Sequence, residues 1–464
     1  MAATLDSDAP KLLDKALTIP LVASSFLAAL GSFSFGYNLG SVNTPSSSFT
    51  LCPAGSSVWQ CFPISDASWG LIPSVLSVGA LFGSLLAGPL ANRLGRRSAV
   101  LCANGPYLVG LLLMSLALNY WMLLVGRILI GIGVGISCIA APLYLTEICT
   151  VSARGLIGSM HQMMICTGLL VAELVGYSGL YRPLYWRFMI ALDILPCLLQ
   201  LVGMAMVAPE SPRHLLLRSE QSAGEAALRR LRGSHFSQAE VHALLDAAAD
   251  STTETWGLAE LLTTHRGIAL KSLLIASFLH IGQQLSGINS ILFFSSSIFA
   301  QQQQPSSPAS SPSMVPPLIG LLNLVMTVFA IMAIDRAGRR FLAISSSSVM
   351  FLSSLALTFG FVTDQRALSV AAVLGFVGSF AFGLGPVPWL MTNELFPTKA
   401  AGSAVALAVC CNWLANLTVT ATFAPLMALL GNYAFVPYSV CILIFLLFSL
   451  FLLPETRGRP ADFI

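Results

Sequence analysis

The chain has 464 residues, of which 56% are hydrophobic and 9% charged, with a net charge of +3 and a mean hydropathy of +0.80. Soluble domains carry roughly a quarter charged residues, so this composition excludes a soluble globular protein and defines a polytopic membrane protein. The small positive balance is not gathered into a basic and aromatic patch, so no nucleic-acid partner is expected.

In chain order, residues 1–17 are polar and of mixed charge. No small-residue cleavage site follows a short apolar core, so the first span is expected to serve as the insertion signal. Asp8-Ala-Pro-Lys-Leu-Leu13 has the shape of an acidic dileucine sorting signal, a string that a short tail also produces by chance. Apolar runs of the ~20 residues needed to cross a bilayer then occur near 18–42, 69–91, 98–118, 122–144, 155–177 and 186–208. Cys52 and Cys61 lie in the loop after the first run, either as a local disulfide on an oxidising exterior side or as two free thiols. Residues 209–267 are charged and in part helix-periodic, as expected of a cytosolic linker with short helices. A second set of apolar runs follows near 268–300, 314–334, 341–362, 368–393, 402–429 and 432–453, and a short tail over 454–464. Within this set, Gln301–Ser313 is uncharged and rich in Gln, Pro and Ser, which marks an exterior loop. The one sequon, Asn416-Leu-Thr418, falls inside a span, so its asparagine is read as a helix-to-helix hydrogen bonder.

Basic residues are retained on the cytoplasmic side. With a cytosolic N-terminus, all of the 23 Lys and Arg except Arg127, Arg182, Arg187 and Arg366 fall in cytosolic segments. Both termini are therefore expected in the cytosol.

Three signatures occur twice, in the same order. Arg93-Leu-Gly-Arg-Arg97 returns as Arg336-Ala-Gly-Arg-Arg340, Glu147 as Glu394, and Pro209-Glu-Ser-Pro-Arg213 as Pro454-Glu-Thr-Arg457, at offsets of 243, 247 and 245 positions. A duplicated half of about 245 residues made of membrane helices is the usual construction of a carrier. The expected fold is all-α, with twelve transmembrane helices in two six-helix pseudo-symmetric halves: 18–208 and 268–453, joined by the 209–267 linker. Arg93, Arg97, Arg154, Arg213, Arg336 and Arg340, with Glu147, Glu210, Asp335, Glu394 and Glu455, stand at cytosolic helix ends. They are expected to pair, and pairs that join the halves would hold that side shut and part when it opens. The alternative is that the arginines only set topology.

These residues carry a resemblance. Gly88-Pro-Leu-Ala-Asn-Arg-Leu-Gly-Arg-Arg97, Gly126-Arg127, Pro209-Glu-Ser-Pro-Arg213, Gln283-Gln-Leu-Ser-Gly-Ile-Asn289, Gly385-Pro-Val-Pro-Trp389 and Pro454-Glu-Thr-Arg-Gly-Arg459 resemble the signatures of sugar porters in the major facilitator superfamily. The match is closest to facilitative hexose carriers of the glucose-transporter type. The Gln283 and Gly385 motifs together are the sugar-specific part. The residues agree with it, because amides both donate and accept and each would be costly facing lipid. The resemblance implies a sugar site lined by Gln162, Gln283, Gln284, Asn289, Asn323 and Asn412, with Trp389 offering a ring face. It also implies an exterior gate at Phe293 and Phe294. Gly385, Pro386 and Pro388 put helix breakers in mid-span, which can act as a hinge.

Departures from the family pattern bear on selectivity and energetics. Ala381 replaces a glutamate that can contact sugar, and His280-Ile281-Gly282 replaces the Gln-Leu-Ser of glucose-restricted carriers, leaving room for fructose or for broad hexose acceptance. Ala401 stands where an arginine usually follows Glu394, with Lys399 nearby as partial compensation. Phe35-Gly-Tyr-Asn38 lacks the first-span aspartate of proton-coupled porters, so facilitated diffusion is implied. Glu173, where relatives mostly have glutamine, is either a candidate proton site or a protonated, hydrogen-bonded surrogate for that glutamine, and Asp193 is a second intramembrane acid. No P-loop, metal-ligand spacing or nucleophile constellation is present, and His161 is read as a packing residue. The expectation is a plasma-membrane hexose transporter for glucose, fructose or both, working by alternating access as a uniporter. It is not an enzyme and takes no cofactor. The alternatives are proton symport, a polyol carrier and a non-transporting sugar sensor.

Overall fold

The computed structural model describes residues 17–43, 64–150, 153–179, 185–251, 263, 266–300, 314–396 and 398–457. The Asp8–Leu13 string, Cys52, Cys61 and the loop 301–313 lie outside the described residues. In the first half the helices are α1 (Ile19–Asn43), α2 (Asp66–Leu94), α3 (Arg96–Ser115), α4 (Tyr120–Ile148), α5 (Arg154–Gly179), α6 (Tyr185–Leu192) and α7 (Ile194–Met206). Three short helices follow, α8 (Pro212–Leu217), α9 (Gln221–Arg232) and α10 (Gln238–Ser251). The second half contains α11 (Arg266–Leu285), α12 (Ile288–Ala300), α13 (Val315–Ala337), α14 (Arg339–Val362), α15 (Arg366–Ser379), α16 (Val387–Glu394), α17 (Thr398–Leu430) and α18 (Val436–Phe451).

Among the described residues, 10 stretches are long and apolar enough to cross a membrane. The all-α membrane class is therefore observed, while two of the twelve expected runs are built differently. The run 268–300 is not one continuous span. It breaks between α11 and α12, where Ser286 Oγ donates to the Gln283 carbonyl at 2.6 Å, Gly287 takes φ +85°, and the ladder tightens to a Gly287 N–H bond on the Gln284 carbonyl at 3.0 Å. The last run becomes α18, an apolar helix of 16 residues. At 1.5 Å per residue it spans about 24 Å, short of a ~30 Å hydrocarbon core.

With no hydrophobic drive between helices in lipid, small residues let the backbones close. α2 and α4 cross this way, Gly79 against the Ile128 carbonyl and Gly131 against the Leu76 carbonyl, leaving no room for a Cβ. The repeated arginine motif has its own structural reason. Its glycines, Gly95 at φ +100° and Gly338 at φ +86°, are the single residues joining α2 to α3 and α13 to α14. A side chain there would be strained by the left-handed backbone and would meet the Glu210 or Glu455 carboxylate. Gly95→Ala is expected to lower stability by about 1–3 kcal/mol, read as a lower melting temperature of the purified protein. Gly88→Ala, where a Cβ meets nothing within 4 Å, is the matched control and is expected to melt like wild type.

The halves meet along α1 with α12, α5 with α13, and α2 with α17. Named contacts across this seam run from mid-membrane to the end opposite the arginine motifs: Trp413 Nε1 donates to Ser84 Oγ at 3.0 Å, Cys166 Sγ lies 3.3 Å from Thr327 Oγ1, and Asn43 Nδ2 donates to Ser295 Oγ at 2.7 Å. At the motif end, the hydrogen bonds and ion pairs between described residues all stay inside one half. The two halves are thus sealed at the end far from the motifs.

Candidate functional site

Four of the expected amides form one directional chain. Asn289 Nδ2 donates to Gln284 Oε1 at 2.6 Å, Gln284 Nε2 to Asn412 Oδ1 at 3.0 Å, and Asn412 Nδ2 to Gln283 Oε1 at 2.8 Å. All four side chains are buried, at 2–8% exposure, and the bond directions polarise one another in a low-dielectric setting. Gln283 ends the chain by donating its two N–H groups to the carbonyls of Leu384 at 2.9 Å and Gly385 at 2.7 Å.

Those carbonyls belong to the broken helix. Between α15 and α16 the backbone winds as a π-turn over Phe380–Leu384, closed by the Gly385 N–H on the Phe380 carbonyl at 2.8 Å. The α-helical donor for Leu384 O would be residue 388, a proline without an N–H. Gln283 supplies the missing donor, and Ser346 Oγ accepts the Leu384 N–H at 3.0 Å. Gly385, Pro386 and Pro388 therefore sit at a joint whose backbone is held by the Gln283 amide. His280 is joined to the same cluster: its Nδ1 accepts from Asn412 at 3.2 Å, which leaves Nε2–H to donate to Thr392 Oγ1 at 3.2 Å. The Trp389 ring stands edge-on to His280, centroids 4.9 Å apart.

Gln162 and Asn323 stand apart from this chain, on opposite sides of the seam and linked only through Cys166 and Thr327. Gln162 Nε2 reaches Cys166 Sγ at 3.6 Å, Cys166 meets Thr327, and Thr327 Oγ1 donates to the Asn323 carbonyl at 2.8 Å. No hydrogen bond between described residues joins this pair to the Gln283 group. Phe293 and Phe294 are buried at 2% and 5% exposure, and Phe294 packs on Phe423 with centroids 4.9 Å apart. Ala381 is buried within the π-turn, and Asn416 is buried with no partner for its Oδ1 among the described residues.

At the motif end the structure corrects which arginines pair. Arg96 Nε binds Glu147 Oε2 at 2.9 Å, and Arg339 Nη2 binds Glu394 Oε1 at 2.9 Å. The expected Arg93, Arg97, Arg213, Arg336 and Arg340 form no such bridge with described residues, and the side chains of Arg154, Asp335, Lys399 and Ala401 lie outside the described residues. Arg97 instead caps carbonyls of α7, its Nε donating to Met204 O at 2.9 Å. Arg340 Nη2 caps the Leu450 carbonyl at 2.6 Å. The two assemblies are copies: Ser211 Oγ donates to Glu147 as Thr456 Oγ1 does to Glu394, and Glu210 accepts the Arg96 and Arg97 N–H groups at 2.8 and 3.0 Å as Glu455 accepts those of Arg339 and Arg340 at 3.0 and 3.1 Å. Burial raises the Glu455 carboxyl, but the N–H groups of Arg457, Arg339 and Arg340 and the Arg339 charge outweigh it and hold it below the usual carboxylate range. His214, held below the ordinary imidazole range by burial and then by Arg96, accepts from Arg96 Nη1 at 2.6 Å. Sequence reading missed Arg96, Arg339, Ser211, Thr456 and His214. It also missed Arg232, which binds Glu240 at 2.8 Å and the Ile148 carbonyl at 3.0 Å, fixing α9 and α10 to the end of α4.

Two further groups are buried in mid-membrane. Asn38 Nδ2 donates to Asp193 Oδ2 at 2.6 Å, while Asn38 Oδ1 and its carbonyl accept from Arg127 at 3.1 and 2.8 Å. Arg127 is wholly buried. Glu173 is wholly buried as well, and neither carboxyl oxygen has a hydrogen-bond partner among the described residues. His161 Nδ1 lies 2.6 Å from Ser32 Oγ.

Residues 24–464 match the sugar (and other) transporter family. The chain belongs to that family. Facilitated glucose transporter protein 1 of Caenorhabditis elegans is 33% identical over 97% of this chain and 91% of its own length. Solute carrier family 2, facilitated glucose transporter member 1 of Gallus gallus is 32% identical over 94% of this chain and 90% of its own. The inward-open conformation of the xylose transporter XylE from E. coli superposes with a TM-score of 0.78 at 25% identity, covering 95% of this chain and 98% of that one.

The chain is accordingly a membrane sugar transporter of the major facilitator fold that works by alternating access, and not an enzyme. In a transporter of this family, a seam closed at one end, with no bond between the halves at the other among the described residues, matches one end state of the access cycle. No cluster of three or more His, Cys, Asp or Glu that could hold a metal occurs among the described residues.

Proposed function

We propose that this transporter carries a hexose down its gradient across the plasma membrane as a uniporter, through twelve spans in two six-helix halves, with both termini and the arginine motifs on the cytosolic side. The observation that carries the reading is the amide chain Asn289, Gln284, Asn412 and Gln283, ending on a broken helix next to Trp389. Uncharged groups that donate and accept in several directions suit a ring of hydroxyls. The relatives named as glucose transporters favour a hexose over a polyol. Asn38 in place of a first-span acid favours uniport, because an amide exchanges no proton.

With this orientation the conformation faces inward, and Phe293 and Phe294 belong to the closed exterior side. A sugar hydroxyl that takes an N–H of Gln283 removes it from Leu384 O or Gly385 O. Sugar binding thereby loosens the joint at Gly385, Pro386 and Pro388, and α16 becomes free to move. The copies of the arginine assembly brace each half in this conformation. Asp193, reaching Arg127 through Asn38, is the observation that favours symport as the second reading.

The test is uptake of radiolabelled glucose and fructose into proteoliposomes holding the purified protein, with and without an inward proton gradient. Saturable uptake that runs to equilibrium without the gradient is expected. Accumulation above equilibrium driven by the gradient would replace uniport with symport, and uptake of polyols but neither hexose would overturn the substrate.

A further inference from the structure

Glu173 stands at the seam between the halves, with the Asn43 side chain and the Gly320 backbone beside its carboxyl and no charged group. It lies on α5, wholly buried, facing α13 so closely that a Cβ at Gly320 would meet its Oε2. On α1, Gly40 faces the Glu173 side chain, and one turn on, beside the acid, Asn43 Nδ2 bonds Ser295 of α12 at 2.7 Å across the same seam, so the site belongs to the sealed end. A carboxylate buried without a compensating charge costs far more than binding a proton.

No charge in the surroundings offsets it. On α1, Tyr37 gives its hydroxyl to the Met189 carbonyl at 2.7 Å, and α12 carries no titratable residue. On α13, Asp335 and Arg336 are at the opposite end. On α4, Arg127 is bound to Asn38, Tyr120 gives its hydroxyl to the Ser68 carbonyl, Tyr144 gives its own to the Pro209 carbonyl, Glu147 is bound to Arg96, and Cys138 and Cys149 are buried thiols. On α6, Arg187 donates to the Ser115 and Ala117 carbonyls and Tyr185 to that of Val175. On α5 itself, His161 is bound to Ser32, Cys166 faces Thr327, and Tyr177 is half-buried one turn on.

We propose that Glu173 is a proton-binding site loaded and emptied from the exterior only, so that exterior acidity holds the outer seam closed while no proton is carried across. Closing the seam against α13 requires the acid to be neutral, and opening it exposes the acid to exterior water, where it ionises. The sealed conformation gives the proton no route to the cytosolic cavity, so it leaves by the side on which it entered. The sign follows: a solvated glutamic acid ionises near pH ~4.3, so opening becomes easier as exterior pH rises above that value, by up to about tenfold per pH unit. The proposal rests on the orientation assigned above and on uniport.

The test is hydrogen exchange of the ends of α1, α5, α12 and α13 in reconstituted wild type and Glu173→Gln, at exterior pH 5 and 8 and corrected for intrinsic exchange. Sugar uptake and sugar-driven proton entry are measured in the same vesicles. Glu173→Gln is an isostere of the protonated acid, so it is expected to fold and to stay protected at both pH values, while wild type loses protection at pH 8. Wild-type uptake should proceed without proton entry. A variant whose exchange follows pH as wild type does would overturn the proposal, and so would sugar-driven proton entry that the variant abolishes. Absence of hexose uptake from both proteins would instead remove the substrate assignment and leave the exchange result to judge Glu173.

Discussion

Gln283→Ala is expected to reduce hexose uptake by at least about thirtyfold and to lower the melting temperature of the purified protein at the same time. The reason for the joint effect is that Gln283 does two jobs with one amide. Its N–H groups cap the Leu384 and Gly385 carbonyls, and its Oε1 accepts from Asn412. Truncation removes the side-chain donor from both the Leu384 and the Gly385 carbonyl, the first of which Pro388 cannot serve either, and each buried polar group left unpaired costs about 1–3 kcal/mol. Two such groups correspond to a factor of roughly 30 to 10,000 in the population of the correctly joined helix, at about 1.4 kcal/mol per tenfold. A residue that only touched sugar would behave differently: KM would rise and the melting temperature would stay at the wild-type value. Measuring uptake kinetics and thermal melting on one preparation separates these outcomes, and an unchanged melting temperature would refute the joint role.

That dual use of Gln283 was out of reach of the sequence, and the reason is general. Side-chain patterns announce that an amide avoids lipid, but not which backbone carbonyl lacks a donor. The Pro386 and Pro388 breakers were legible, as was the Gln283–Asn289 cluster, because both are residue types that a membrane span excludes without a purpose. The arginine motifs were legible as a repeat, yet the pairing side chains are Arg96 and Arg339 rather than Arg97 and Arg340. Gly95 and Gly338 turn the chain between two helices, and only that turn decides which neighbouring arginine faces the acid. The repeat held the answer in another form: Ser211 and Thr456 follow Glu210 and Glu455 at the same position in each half, and both hydroxyls bind the paired glutamate. The break between α11 and α12 was hidden inside an apolar run, since a Ser-Gly step does not interrupt hydropathy.

Arg127→Met is expected to cost about 3–5 kcal/mol of stability, enough to remove most of the folded carrier from detergent extracts. Arg127 is wholly buried, and its guanidinium is held by Asn38 Oδ1 and the Asn38 carbonyl. Asn38 in turn donates to Asp193, so one amide transmits between a buried cation and a buried acid. Removing Arg127 leaves the two Asn38 acceptors without their donor and forces Asp193 either to bind a proton or to stand as an uncompensated buried charge, and breaking such a set is far more costly than its net worth. The consequence is a specific rescue. Asp193→Asn alone is expected to be milder, because the amide can still accept from Asn38. The double variant Arg127→Met with Asp193→Asn should recover much of the loss, because no unpaired charge remains in the cluster. The four proteins form a double-mutant cycle, read by melting temperature and by the fraction that elutes as a single species. A double variant no more stable than Arg127→Met would mean that Arg127 acts through packing alone, and that Asp193 and Arg127 are neighbours without being coupled.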